Sequence, residues 1–141
     1  MSERIAFQVP LPSRELRSNN RSHWAAKVKA KQAYSLQVLM YAIDAEPPYP
    51  EQILQRRWKR ARVTFTWRAC HLPDQANVLP NCKALLDILC TAPPEKPGTK
   101  HPNRTTYLGI LEDDKHVEAV GKVERVRHRA DEGVLVEVER L

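Results

Sequence analysis

Five acids and one lysine stand where chemistry is possible. Asp74 opens the run "PDQANVLPNCKALLDIL" and Asp87 lies near its end, four residues after Lys83. Glu112, Asp113 and Asp114 follow one another in "LGILEDDKHV", at the end of an apolar segment, Leu108 to Leu111. Hard carboxylate oxygens from separate segments, completed by water and phosphate oxygens, are what Mg²⁺ takes as ligands. Two such ions about 3.5–4 Å apart stabilise both the attacking and the leaving oxygen in phosphodiester hydrolysis. Lys83 could hold the scissile phosphate or neutralise its developing charge.

Each of these residues also has a plainer use. Positions 83 and 87 share a helix face, so Lys83 and Asp87 could form a surface i,i+4 pair worth about 0.3–0.5 kcal/mol. Asp74 could be a turn or cap residue. Glu112, Asp113 and Asp114 could be a solvated turn before a strand. Adjacent like charges at ~4 Å repel by about 1 kcal/mol in water and by roughly 4 at an effective dielectric of 20. Either water screens this triplet or something positive sits on it. His116, close by, could move a proton or simply begin a strand.

The rest of the chain is basic. Its 141 residues carry 23 Lys and Arg against 17 Asp and Glu, a net charge of +6. That balance suits a polyanion, of which nucleic acid is the commonest. Arg14, Arg17, Asn20, Arg21, His23, Lys27 and Lys31 form one basic group of candidate phosphate contacts. Arg56, Arg57, Lys59, Arg60 and Arg62 form a second. The alternative is two solvated faces with no partner.

Length favours one domain spanning 1–141. With 42% hydrophobic and 28% charged residues, composition excludes global disorder. The N-terminal stretch has no apolar secretory core and no run approaches the ~20 residues of a membrane span, so a cytoplasmic protein is expected. Cys70, Cys82 and Cys90 are spaced C-x11-C-x7-C, which is no zinc pattern, so they read as reduced, mostly buried thiols. Zinc held by Cys70 with His71 or His101 is the weaker alternative.

These side chains must be positioned by a small set of elements. Ile5, Phe7 and Val9 alternate as a strand. Ser22 could cap a helix from about His23 to about Ala45, with Trp24, Val28, Leu36, Leu39 and Ile43 as its apolar stripe. "EPPYP" stops it. Val63, Phe65 and Trp67 alternate with Arg62, Thr64, Thr66 and Arg68, a strand with one basic or polar face. Asn77 is a plausible N-cap of a second helix, with Pro80 in its first turn and Leu79, Cys82, Leu85, Leu86 and Leu89 as its stripe. Thr91–Thr106 is a Pro-rich loop. Val117 to about Arg127 and Val134 to Val138 read as strands, and "ADEG" between them could turn a hairpin. Trp24, Tyr34 and Trp58 are expected in the core. The order β-α-β-α-β-β predicts an α/β or α+β domain, a mixed sheet with two main helices.

The pattern D-x-x-N … K-x-x-x-D, a loop, then G-I-L-x-D-D-x-x-V resembles the RusA-like endodeoxyribonucleases, which include phage-type Holliday junction resolvases. The stretch "SNNRSHWAAKVKAK" also looks like that family's opening. The resemblance implies a small mixed α/β fold acting as a homodimer, with Mg²⁺ or Mn²⁺, to make paired symmetric nicks in branched DNA. Carried over by position, Asp74, Asp87, Asp113 and Asp114 would be catalytic and metal-ligating. Lys83 would be the helix lysine and Asn77 the Asn that follows the first aspartate. Better-known members carry a second aspartate where this chain has Ala76, and their Asn-to-Lys spacing is shorter. A branched-DNA-binding module without catalysis is the alternative.

Overall fold

A computed structural model describes residues 3–17, 21, 23–45, 56–94, 97–98 and 104–141. Four strands form one mixed sheet: β1 (Arg4–Val9), β2 (Ala61–Ala69), β3 (Val117–Arg125) and β4 (Gly133–Arg140), in the order β1-β4-β2-β3. β2 runs parallel to β3 and antiparallel to β4, and β4 runs antiparallel to β1. Helix α1 (Trp24–Ile43) packs on β1. The second helical region is broken into α2 (Val78–Asn81) and α3 (Lys83–Leu89), with Cys82 between them. This is an α+β fold, as expected, with the second helix split in two.

Alternation in β2 places Val63, Phe65 and Trp67 in the core, beside Ile5, Phe7 and Val9 of β1 and Val134, Val136 and Val138 of β4. Each such aliphatic or aromatic side chain contributes about 1.5–3 kcal/mol on burial. The alternate face of β2 is the expected polar one, except that Thr66 is buried. Its charges are balanced by flanking strands. Arg62 pairs with Glu118 at 3.3 Å and with Glu139 at 4.0 Å, Arg68 pairs with Glu124 at 3.4 Å, and Arg4 pairs with Glu137. Arg62 is therefore part of a charge ladder across the sheet.

Three local expectations change. β3 and β4 do not form a hairpin: β2 lies between them, and Arg129–Asp131, which overlaps the start of "ADEG", is a 3-10 turn. β2 is apolar enough to need a partner on each side, and both later strands take it. Second, α1 buries Tyr34, Ser35, Val38 and Ala42, while Trp24 is 62% exposed and Val28, Leu36 and Ile43 are also exposed. Third, the N-cap position of α1 is His23, whose Nδ1 accepts from the Ala25 amide at 3.2 Å. Ser22 lies outside the described residues, as do "EPPYP", Asn20 and His101.

In the second helical region Asn77 occupies the N-cap position, but its side chain makes no capping bond. Pro80 falls in the first turn. The buried stripe is Val78, Cys82, Leu85, Ile88 and Leu89; Leu79 is exposed and Leu86 only half-buried. Of the three aromatic residues expected inside, Tyr34 and Trp58 are buried and Trp24 is not. The three cysteines are free thiols, with Cys82 and Cys90 buried. No helix among the described residues is long and apolar enough to cross a membrane.

Candidate functional site

The acidic triplet is held by a small three-stranded patch beside the main sheet. Leu108, Ile110 and Leu111 are fully buried, which anchors the segment. On one side, Leu108 and Leu111 donate amides to the Ile88 and Leu89 carbonyls at 2.8 and 3.1 Å, and Gly109 donates to Cys90 at 3.1 Å. On the other side, Arg57 and Trp58 donate to the carbonyls of Gly109 and Ile110 at 2.8 and 2.9 Å. Glu112 closes the array by donating its amide to the Trp58 carbonyl at 3.0 Å. Gly109 has φ +67° and Arg57 φ +54°, both left-handed. A residue with a Cβ pays roughly 1–2 kcal/mol there, which is why a glycine suits position 109.

The chain thus delivers Asp113 and Asp114 to the end of α3, where Asp87 lies. The Cys90 thiol reports this convergence. It is pushed up to about 12, first by burial and then by the charges of Asp114, Asp87 and Asp113, with Lys31 acting in the opposite sense. Asp113 Oδ1 accepts from the Lys115 amide at 2.9 Å. Among the described residues, no cation lies within ion-pair distance of Glu112, Asp113 or Asp114. Glu112, Asp114 and His116 are exposed.

Asp74 is elsewhere. It precedes the 3-10 turn Gln75–Asn77 and accepts the Asn77 amide on its backbone carbonyl at 2.9 Å. Gln75 ties that turn to the Gly121 carbonyl, at 3.3 Å. Among the described residues, no interaction joins Asp74 to the other three acids.

Asp87 pairs with Lys31 of α1 at 3.3 Å. The expected pairing with Lys83 is not made. The Lys31 ammonium also lies 5.9 Å from the centre of the Tyr107 ring, a cation–π contact. Tyr107 carried no signal of a role in the sequence. A groove of about 490 Å³ runs between α1 and α3, lined by Arg17, Lys27, Lys31, Lys83, Asp87 and Glu15 among others. Glu15 is held below the usual carboxylate range by its own backbone N–H and then by the Ser13 hydroxyl.

The basic candidates divide. Lys27, Lys31 and Lys83 share the groove with Asp87. Arg17 lines it too, but its Nε donates to the Pro12 carbonyl at 3.0 Å and its guanidinium stacks 5.3 Å from the centre of the Trp67 ring. His23 is engaged in its cap, and Arg14 and Arg21 are exposed. Arg56, Arg57, Lys59 and Arg60 line a second cleft, of about 500 Å³, together with Glu3 and Arg140. The sequence reading missed those last two, and no local signal could have found them.

The donors suit a hard divalent cation. Mg²⁺ is usually held by one or two carboxylates, with water and phosphate oxygens completing six ligands. The neighbouring aspartates Asp113 and Asp114 offer that set. They form no closed cage: among the described residues, no three His, Cys, Asp or Glu side chains group closely enough to hold a metal. No family model, curated protein or solved structure matches the chain.

Proposed function

We propose that the chain is a Mg²⁺-dependent, structure-selective DNA endonuclease that resolves Holliday junctions or other branched DNA, as the RusA-like enzymes its motifs resemble do. The observation that carries this reading is the delivery of Asp113 and Asp114 to the end of α3, where Asp87 lies, in a chain with two clefts that carry several Lys and Arg side chains. A basic surface draws in the phosphate backbone, and acids gathered inside it have a use if they hold a cation against that backbone.

Asp113 and Asp114 would hold the ion, water and phosphate oxygens would complete its ligands, and the resemblance adds Asp74 and Asp87 to the site. Bound Mg²⁺, for which Mn²⁺ may be exchanged, supplies Lewis-acid polarisation of the phosphodiester. Lys83 and Lys27 would orient the phosphate and offset charge as it builds on the oxygens, while Lys31 stays paired with Asp87. Asn77 steadies the Asp74 turn. The reading includes a homodimer, because a two-fold junction is nicked symmetrically by two equivalent sites. Its signature is a solution mass of about twice the 16.2 kDa chain. Recombination and repair are the processes such an activity serves.

A second reading is a binder of branched DNA without catalysis. Two departures from the family pattern, Ala76 in place of a second aspartate and the longer Asn77-to-Lys83 spacing, favour it. Cleavage of a labelled four-way junction beside a matched linear duplex separates the two. Paired nicks that require Mg²⁺ and vanish in EDTA and in Asp113→Asn establish the nuclease. Tight junction binding without nicks in Mg²⁺ or Mn²⁺ establishes the binder.

A further inference from the structure

The second cleft joins distant parts of the chain. Pairing of β1 with β4 sets Arg4 opposite Glu139, so Glu3 and Arg140 are neighbours, and the Arg140 amide donates to the Glu3 carbonyl at 2.9 Å. The Leu141 amide donates to the Arg60 carbonyl at 3.0 Å, which ties β4 to the basic run. That run is in turn bonded through Trp58 to Glu112, at the head of the acidic triplet. A continuous backbone hydrogen-bond path therefore leads from the cleft to the carboxylates.

Among the described residues, the cleft is lined by Arg56, Arg57, Lys59, Arg60 and Arg140 and by the side-chain carboxylate of Glu3, with Trp58 and Leu141 completing it. That carboxylate is shared: it lies 3.8 Å from Arg56 and 3.4 Å from Arg140. All three side chains are partly exposed, so the pairs are weak and exchangeable. A carboxylate bridging two guanidinium groups occupies the position that a phosphate would take with the same donors.

We propose that this cleft is a subsite for the DNA backbone flanking the carboxylates, with Arg140 as a contact and Glu3 as its internal counter-ion. Glu3 neutralises Arg56 and Arg140 until a phosphate takes its place, so it sets how tightly the flanking strand is held. The inference rests on the nucleic-acid reading above and adds two residues to it.

The test is binding of a fluorescent DNA duplex by anisotropy, in EDTA so that no cleavage intervenes, across a salt series. Arg140→Gln weakens binding and lowers the log–log salt slope by about 0.9, the loss of one phosphate contact. Glu3→Gln tightens binding at low salt by about twofold or more, the range of two exposed ion pairs released. Asp131→Asn is the control. It adds the same charge near the Val9 end of β1, away from the cleft, and leaves affinity closer to the unaltered chain than Glu3→Gln does. A salt slope unaltered in Arg140→Gln, or equal gains from Glu3→Gln and Asp131→Asn, overturns the subsite. If the unaltered chain binds with no salt dependence, the nucleic-acid reading itself fails, and the subsite with it.

Discussion

Asp87 is joined to Lys31 across two helices, 3.3 Å apart, while Lys83, one turn before it on α3, lines the groove without pairing to it. The two lysines thus have different work. Lys31 holds α1 to α3 and stacks on Tyr107, and in the proposed reading Lys83 is the lysine that meets the phosphate. Lys83→Ala is expected to leave stability within about 0.5 kcal/mol, as for surface changes, while lowering junction cleavage by roughly a hundredfold. Lys31→Ala is expected to cost about 0.2–1 kcal/mol in a thermal melt, since the pair is part-exposed. Equal effects of both variants on melting and cleavage would contradict this division.

Gly109 and Arg57 share one hydrogen bond and both have left-handed backbone. Gly109→Ala is expected to destabilise by roughly 1–2 kcal/mol, because it adds a Cβ at φ +67°. Arg57→Gly relieves that strain and should melt no lower than the unaltered chain by more than about 0.5 kcal/mol. Melting of the two variants side by side checks the assignment of strain to each position.

Gly121 lets α2 lie close on β3. A Cβ there would come 3.0 Å from the Val78 Cβ, so Val78 must give by a few tenths of an ångström. Gly121→Ala is expected to cost about 1–3 kcal/mol as overpacking. Because Gln75 bonds the same glycine's carbonyl, the Asp74 turn should move too. Amide shifts confined to residues other than 74–78 would count against this link.

Alkaline pH should weaken the fold through its thiols. Burial pushes Cys82 up to about 12 from an ordinary value of 9.0, and Cys90 likewise. With the folded value raised, the stabilisation is complete below the unfolded value and is lost as pH rises from about 9 toward 12. Denaturant midpoints across that range should fall, and should fall less steeply in Cys82→Ala. By the same reasoning, iodoacetamide at pH 8 should label the half-buried Cys70 ahead of Cys82 and Cys90.

Much of the architecture was legible because it is local. Alternation of Val63, Phe65 and Trp67 marks β2 without reference to any other segment, and the apolar run before Glu112 marks a buried anchor. The face of α1 was misread for the same reason. Trp24, Val28 and Leu36 look like a core stripe, yet burial goes to Tyr34, Ser35, Val38 and Ala42, whose small or hydroxyl-bearing side chains let α1 approach β1 and accept the Thr106 amide on Ser35 Oγ. Periodicity gives a helix its faces but not its neighbour.

By itself, then, the chain determined that Asp113 and Asp114 sit together at the end of a buried segment, because adjacency and apolar patterning are properties of a few consecutive residues. It also determined the basic charge around them. Tertiary structure alone decided that Asp87 joins them, that Lys31 rather than Lys83 is its partner, and that Glu3 and Arg140 close the second cleft. Those relationships depend on strand pairing and helix docking between segments far apart in sequence. Such contacts form only when the whole core is buried, and no short stretch of residues encodes them.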